Sequence, residues 1–304
     1  MIRFVARRAG SAILTLLVMS VLVFGLSRLS GDPRYLLLDE YATDEDFRIM
    51  GERLGLDQPL VLQYGRFLGQ ALVGDLGRSV QARLPVTQMI AERFPATLQL
   101  AGAALLFTLT VSVFLGVITA TRRGTWVDGL GRVVALVGQS VPAFWLGIVL
   151  IFLVAVQLGW LPTAGRGDWR YLVLPAVTLS ANSMAALTLL LRGAMLDALE
   201  AEYVKLARIK GASGLKIAWV HALRNASLVP FTYAGIVLGH FLTGSIVVET
   251  VFGWPGIGQL ALQAVQTRDY QLLQGVVLFF AVIYVSIAFL IDLAYGVLDP
   301  RVRA

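Results

Sequence analysis

The sequence predicts an all-α membrane protein with six transmembrane helices and both termini cytoplasmic. Three observations carry that expectation. Of 304 residues, 57% are hydrophobic and only 14% charged, with a mean hydropathy of +0.75, whereas roughly a quarter of residues are charged in ordinary globular domains. The charges also cluster, leaving uncharged runs at Ala9 to Ser27, Pro95 to Thr121, Val133 to Gly165, Tyr171 to Leu191, Ala226 to Val248 and Tyr270 to Ile291. Each can cross a bilayer core, which takes about 20 apolar residues. Finally, the net charge of +6 is sided: Met1 to Arg8, Thr121 to Arg132, Arg192 to Ala226 and the C-terminal tail are basic, and Ser30 to Phe94 is acidic. Six spans place every basic patch on one face, as the positive-inside bias expects. Basicity therefore reports topology, and no nucleic-acid partner is expected.

In chain order, residues 1–94 read as an N-terminal span (about 9–29) followed by an extracytoplasmic region (about 30–94). The first apolar run is longer than the roughly 7 to 15 residues of a signal-peptide core, and Arg28 stands where small residues would mark cleavage, so it reads as a retained anchor. Within the polar region, Asp44 to Leu54 and Pro59 to Leu72 carry apolar residues at helical spacing, among them Leu60, Tyr64, Phe67, Leu68 and Ala71. They read as short amphipathic helices on the outer face. Residues 95–304 form a core with five spans (about 95–121, 133–157, 171–193, 226–248 and 270–292) and one polar cytoplasmic loop (about 197–225). The spans show no internal repeat of the kind found in secondary transporters.

That loop is the anomaly of an apolar chain. Over Asp197 to Lys210, the residues Glu200, Tyr203, Ala207 and Lys210 fall near one helical face. Gly211 supplies a helix stop. Ser213 is placed to cap a second helix whose apolar stripe is Leu215, Trp219, Ala222 and Leu223, before Pro230 opens the fifth span. A soluble partner docking on the loop and a hairpin lying on lipid headgroups fit this pattern equally.

A family resemblance separates those readings. The segment around Ala207, Gly211 and Ala212 resembles the E-A-A, three residues, Gly signature of ABC importer permeases, with Lys205, Leu206 and Ala207 at the E-A-A positions and Gly211 as its glycine. Only Ala207 and Gly211 match. Where the general motif continues with Leu-Pro the chain has Leu223 and Arg224, and the run His221 to Ala226, His-Ala-Leu-Arg-Asn-Ala, is typical of the dipeptide, oligopeptide and nickel branch. Further landmarks of that branch stand in order at Gly31 to Pro33, Leu54 to Leu60, Gly74 to Gly77, Phe94 to Leu98, Gly159 to Pro162, Gly244 to Gly258 and Leu298 to Arg301. The resemblance implies a type I ABC importer permease architecture and half of a translocation pathway for di- or oligopeptides. It implies as partners a sister permease subunit, two cytoplasmic ABC ATPase subunits and an extracytoplasmic substrate-binding protein, in the bacterial or archaeal cytoplasmic (inner) membrane. Nickel-complex, glutathione and oligosaccharide cargoes stay open.

Motif absences agree with a non-catalytic membrane subunit. No Gly-rich loop ends in Lys-Ser or Lys-Thr, so no cofactor is expected in this chain, and ATP and Mg belong to the partner ATPases. No G-x-S-x-G elbow or H-E-x-x-H helix occurs, so no catalytic residue is assigned. With His221 and His240 the sole histidines, no multi-histidine metal site is available. An ion-coupled secondary transporter, the alternative from a different class, would want charge within its spans, and these hold almost none. Gly256-Ile-Gly258-Gln-Leu-Ala261 imitates a dinucleotide fingerprint but lacks the βαβ setting such a site needs. Glu249, Trp254, Pro255 and Gly256 are instead assigned to an outer gate, Glu249 and Asp292 being interfacial. Gly235 and Gly239 form a G-x-x-x-G pair beside His240, and the group serves either core packing or the translocation pathway.

Overall fold

The computed structural model describes residues 2–29, 34, 38 and 41–298. The landmark at Gly31 to Pro33 and most of that at Leu298 to Arg301 lie outside the described residues, as does the basic C-terminal tail. Among the described residues there are helices and one isolated bridge, Arg78 with Pro85. Four helices are long and apolar enough to cross a membrane, or five if one bent pair counts as a span.

The chain divides into two compact units, Met1–Ala96 with Gly256–Ala304, and Thr97–Pro255. In the first, α1 (Ile2–Leu29) runs against α14 (Tyr270–Leu298), and Arg8 pairs with Asp292 at 3.1 Å. The expected amphipathic helices are present as α2 (Asp44–Leu54) and α3 (Leu60–Leu72). Thr43 caps α2 in a reciprocal box with Asp46, and the Thr43 hydroxyl and N–H, both donating to this carboxylate, hold it below the ordinary aspartate range. Helix α3 seats its aromatic stripe on α1: the Tyr64 hydroxyl meets Ser20 at 2.8 Å, and Tyr64 and Phe67 lie 5.6 and 5.7 Å from Phe24, centroid to centroid.

The Gly74 to Gly77 landmark has a conformational cause. Both glycines adopt left-handed angles, φ 82° and 80°, which other residues reach only with strain. Between them the Gly77 N–H donates to Asp75, and Gln271 donates to the Leu76 carbonyl at 2.9 Å. Asp269, fully buried, begins α14 by accepting the Leu272 N–H at 3.0 Å and holds the following turn by accepting the Ser79 hydroxyl at 2.5 Å. Beneath the turn, Val86 and Ile90 pack with Leu272, Val276 and the residues Ile257, Leu260 and Ala264 of α13 (Ile257–Gln266).

The second unit departs from the expected spans. Helix α4 (Val86–Thr121), which crosses from the first unit into this one, starts well before Pro95, which sits inside it. The segment expected as one span at 133–157 is a bent pair: α5 (Trp126–Ser140) meets α6 (Ala143–Leu150) and its π-helical continuation Ile151–Gln157 at 106°. Pro142 explains the bend, because its ring removes a donor and disfavours helical angles at Val141, which is extended with ψ 123°. Helix α7 (Trp169–Glu200) is the most buried of the long helices. The segment expected as a fifth span at 226–248 is α11 (Leu228–Gly244), separated at Ser245 from the short α12 (Ile246–Val251).

Candidate functional site

The polar connection after α7 is not one helix from Asp197 to Lys210. Ala201 is extended, with φ −69° and ψ 151°, so Glu200 closes α7 and a separate α8 spans Glu202–Ile209. Nothing in the local sequence marks this break, since alanine is the best helix former. Glu200 therefore pairs with Arg123 at 2.8 Å rather than across a face with Lys210. The stop at Gly211 is as expected: φ is +81°, and the Gly211 and Ala212 N–H groups donate to Arg208 and Ala207, closing the helix in the manner of a Schellman cap. Ser213 then accepts from the Lys216 N–H at 3.4 Å and opens α9 (Gly214–Lys216).

The expected apolar stripe holds at Ala222 and Leu223, which pack on the core, and is rotated in the turns before them. Leu215 and Trp219 are exposed, whereas Ile217, Ala218, Ala222 and Ala226 are buried. The reason is a π-helical stretch at Ile217–Ala222, whose wider turn changes the angle between successive side chains. Before α10 (Leu223–Ala226) ends, this face is packed on Val117 and Ala120 of α4 and on Leu191, Met195 and Ala198 of α7.

Helix α8 is anchored through Val204, which is fully buried. At 100° per residue, Leu206 and Ile209 lie on the opposite side, and they are 52% and 82% exposed, with Tyr203 beside them at 39%. Ala207 is half-buried at the edge of this face, Ala212 is half-buried, and Lys210 and Gly211 are exposed. Of the apolar residues that project, Leu206 stands at a motif position without matching it and Ile209 lies between the motif's alanine and its glycine, so neither was assigned to the site. Their signal was the apolar i, i+3 pair within a polar loop.

The base supporting this connection contains a buried charge pair. Asp128, 1% exposed, accepts from Arg192 Nε at 2.7 Å and from a terminal nitrogen of the same guanidinium at 2.8 Å, and from the Gly124 N–H at 3.1 Å. Such a two-point contact fixes orientation as well as charge, and it ties the turn after α4 to α7.

Glu249 belongs to the same unit. It is fully buried and accepts from the Thr97 hydroxyl at 2.9 Å and the Ser245 hydroxyl at 2.7 Å. Trp254 is also fully buried, its N–H donating to the Glu249 carbonyl at 2.8 Å, while Arg166 lies over its ring at 5.9 Å. Gly253, at φ +56°, turns the chain between them, and the Gly165 N–H donates to the Phe252 carbonyl at 2.8 Å. Pro255 is half-buried at the end of this unit; Gly256 belongs to the first unit, where it precedes α13. In α11, Gly239 is buried and Gly235 half-buried, but His240 is exposed, so the histidine is not packed within this unit. Among the described residues no group of three or more metal-ligating side chains occurs.

The arrangement is that of a helical chain with apolar helices long enough to cross a membrane and a short helix, α8, whose apolar residues Leu206 and Ile209 are exposed. Residues 112–304 match the family described as "Binding-protein-dependent transport system inner membrane component", and residues 1–101 match its N-terminal companion, "Binding-prot-dependent transport system membrane comp, N-term". The chain belongs to this family. It is 38% identical over 304 residues to the glutathione transport system permease protein GsiC of Escherichia coli strain K12, covering 100% of this chain and 99% of that one. It is 37% identical over 333 residues to the di/tripeptide transport system permease protein DppB of Pseudomonas aeruginosa strain UCBPP-PA14, with the same coverage. A chain of the inward-facing MetNI methionine ABC transporter, in its CY5 native crystal form, shares the fold at a TM-score of 0.59 and 18% identity, over 70% of this chain and 97% of that one. The protein is thus an ABC importer permease subunit, multi-pass in the bacterial cytoplasmic membrane.

Proposed function

We propose that the chain forms half of a translocation pathway for di- or oligopeptides, glutathione included, and is driven by alternating access. The relatives named for glutathione and for di/tripeptides support that cargo class. Six spans with cytoplasmic termini, the bent α5–α6 pair and α11 each counting as one, keep the basic segments on the inner side. The chain itself is non-catalytic. It works with a sister permease, two cytoplasmic ATPases and an extracytoplasmic binding protein, and a difference in carrier and nucleotide affinity between the outward and inward states gives the cycle its direction.

The observation that carries this reading is the outward apolar face of α8, with Leu206 and Ile209 exposed above a buried Val204. An apolar i, i+3 pair on a short helix suits insertion into a groove of a soluble partner, and the ordered base under α8 lets a push on the helix reach α4 and α7. The test is uptake by proteoliposomes carrying the complete assembly, with labelled dipeptide competed by unlabelled dipeptide, tripeptide and glutathione. ATP-dependent dipeptide uptake is expected. Uptake that needs an ion gradient and no ATP would overturn the mechanism, and absence of dipeptide uptake by assemblies that take up labelled glutathione would reassign the cargo.

A further inference from the structure

A cleft of ≈ 950 Å³ opens in the second unit between the end of α4, the end of α7 and the segment from α8 to the π-helical turn. Four cations line it, Arg122, Arg123, Lys205 and Arg208, against the single carboxylate of Glu200. Arg123 is neutralised by Glu200 and Lys205 by Glu202. Among the described residues, no carboxylate lies within ion-pairing distance of Arg122 or Arg208.

Much of the remaining lining is apolar. Phe114 and Trp219 line it with their rings 6.2 Å apart, and at 1.5 Å per residue Phe114 lies about 10 Å deeper along the helix than Thr121. A ligand filling the whole space therefore carries an anionic head and an apolar tail. Free phosphate would satisfy the arginines but leave the apolar lining bare.

We propose that this cleft holds an anionic phospholipid of the cytoplasmic leaflet, its phosphate between Arg122 and Arg208 and an acyl chain along Phe114 and Trp219. Juxtamembrane basic groups on that leaflet attract such lipids. The proposal rests on the inward orientation given above, but not on α8 meeting an ATPase. Because α4, α7 and α8 all border the cleft, the lipid acts as a wedge under the helix that receives the push.

The experiment is native mass spectrometry of the assembled transporter, reconstituted with equal phosphatidylglycerol and phosphatidylcholine and scored only on assemblies of wild-type composition. The wild type is expected to retain phosphatidylglycerol selectively. The double variant R122Q/R208Q is expected to retain it about thirtyfold less, because neither guanidinium then faces the phosphate, while R224Q, which removes an exposed charge outside the cleft, retains it as the wild type does. The single variants R122Q and R208Q give the same reading in smaller steps should the double variant not assemble. Equal retention in all variants, or equal retention of the two lipids by the wild type, would overturn the proposal. So would stripping of the lipid by inorganic phosphate, which would mark a free-anion site.

Discussion

Arg192 lays two nitrogens of its guanidinium on the carboxylate of Asp128, at 2.7 and 2.8 Å, joining α7 to the first turn of α5. Asp128 is buried, so the pair cannot be replaced by water. Truncating one partner strands the other charge, which costs about 3–5 kcal/mol at buried sites. Asp128→Ala is therefore expected to lower the thermal midpoint of the detergent-solubilised protein sharply, and Asp128→Ala with Arg192→Met to recover part of the loss. A single variant that melts with the wild type would remove the pair from the support of α8.

Leu206→Asp with Ile209→Asp is expected to abolish co-purification of the ATPase subunits in mild detergent while leaving the permease folded, because both side chains already face outward. Val204→Asp should instead unfold the connection, since Val204 is fully buried. Circular dichroism separates the two outcomes.

Gly211 tests conformation without crowding. A Cβ there meets nothing within 4 Å, yet φ is +81°. Gly211→Ala should weaken coupling through the left-handed penalty of about 1–2 kcal/mol, and Gly211→Asn, whose side chain tolerates that region, should be milder. Equal ATP-dependent uptake by both variants and the wild type would show that the cap geometry is dispensable.

Glu249 accepts from two buried hydroxyls, those of Thr97 and Ser245. Glu249→Gln retains an acceptor and is expected to preserve fold and uptake largely, whereas Glu249→Ala withdraws it, at about 1–3 kcal/mol for each buried donor left unmade. Thermal midpoints of the two variants in detergent measure the difference.

Helix α2 should loosen in acid. The Asp46 carboxyl titrates below its ordinary value because Thr43 donates to it. A group depressed on folding lends stability that is present above its unfolded value and is lost as pH falls through the folded one. Amide protection across α2, taken relative to the intrinsic exchange rate at each pH, should therefore fall as pH drops below the ordinary aspartate range, and Asp46→Asn should flatten that response.

Four long apolar helices, α1, α4, α7 and α14, the helices at Asp44–Leu54 and Leu60–Leu72, and the stop at Gly211 were legible because each is written in run length, in local periodicity or in a residue with its own backbone preference. The break at Ala201 and the π-helical turn at Ile217–Ala222 were not. Neither carries a glycine or proline, and both answer to what the helix packs against. The full burial of Glu249 was not legible either, because its hydroxyl partners include Thr97, distant in sequence.

By itself the sequence determined an α-helical chain with runs long enough to cross a membrane, the clustering of its charge and a polar loop with a helix stop at Gly211, since these follow from composition, run length and the angles glycine permits. Only the tertiary structure decided which face of that loop is presented. Periodicity fixes which side chains share a face, but not which face is covered. The covered face was set by burial of Val204, Ile217, Ala218 and Ala222 on this unit, which leaves Leu206 and Ile209 in the open.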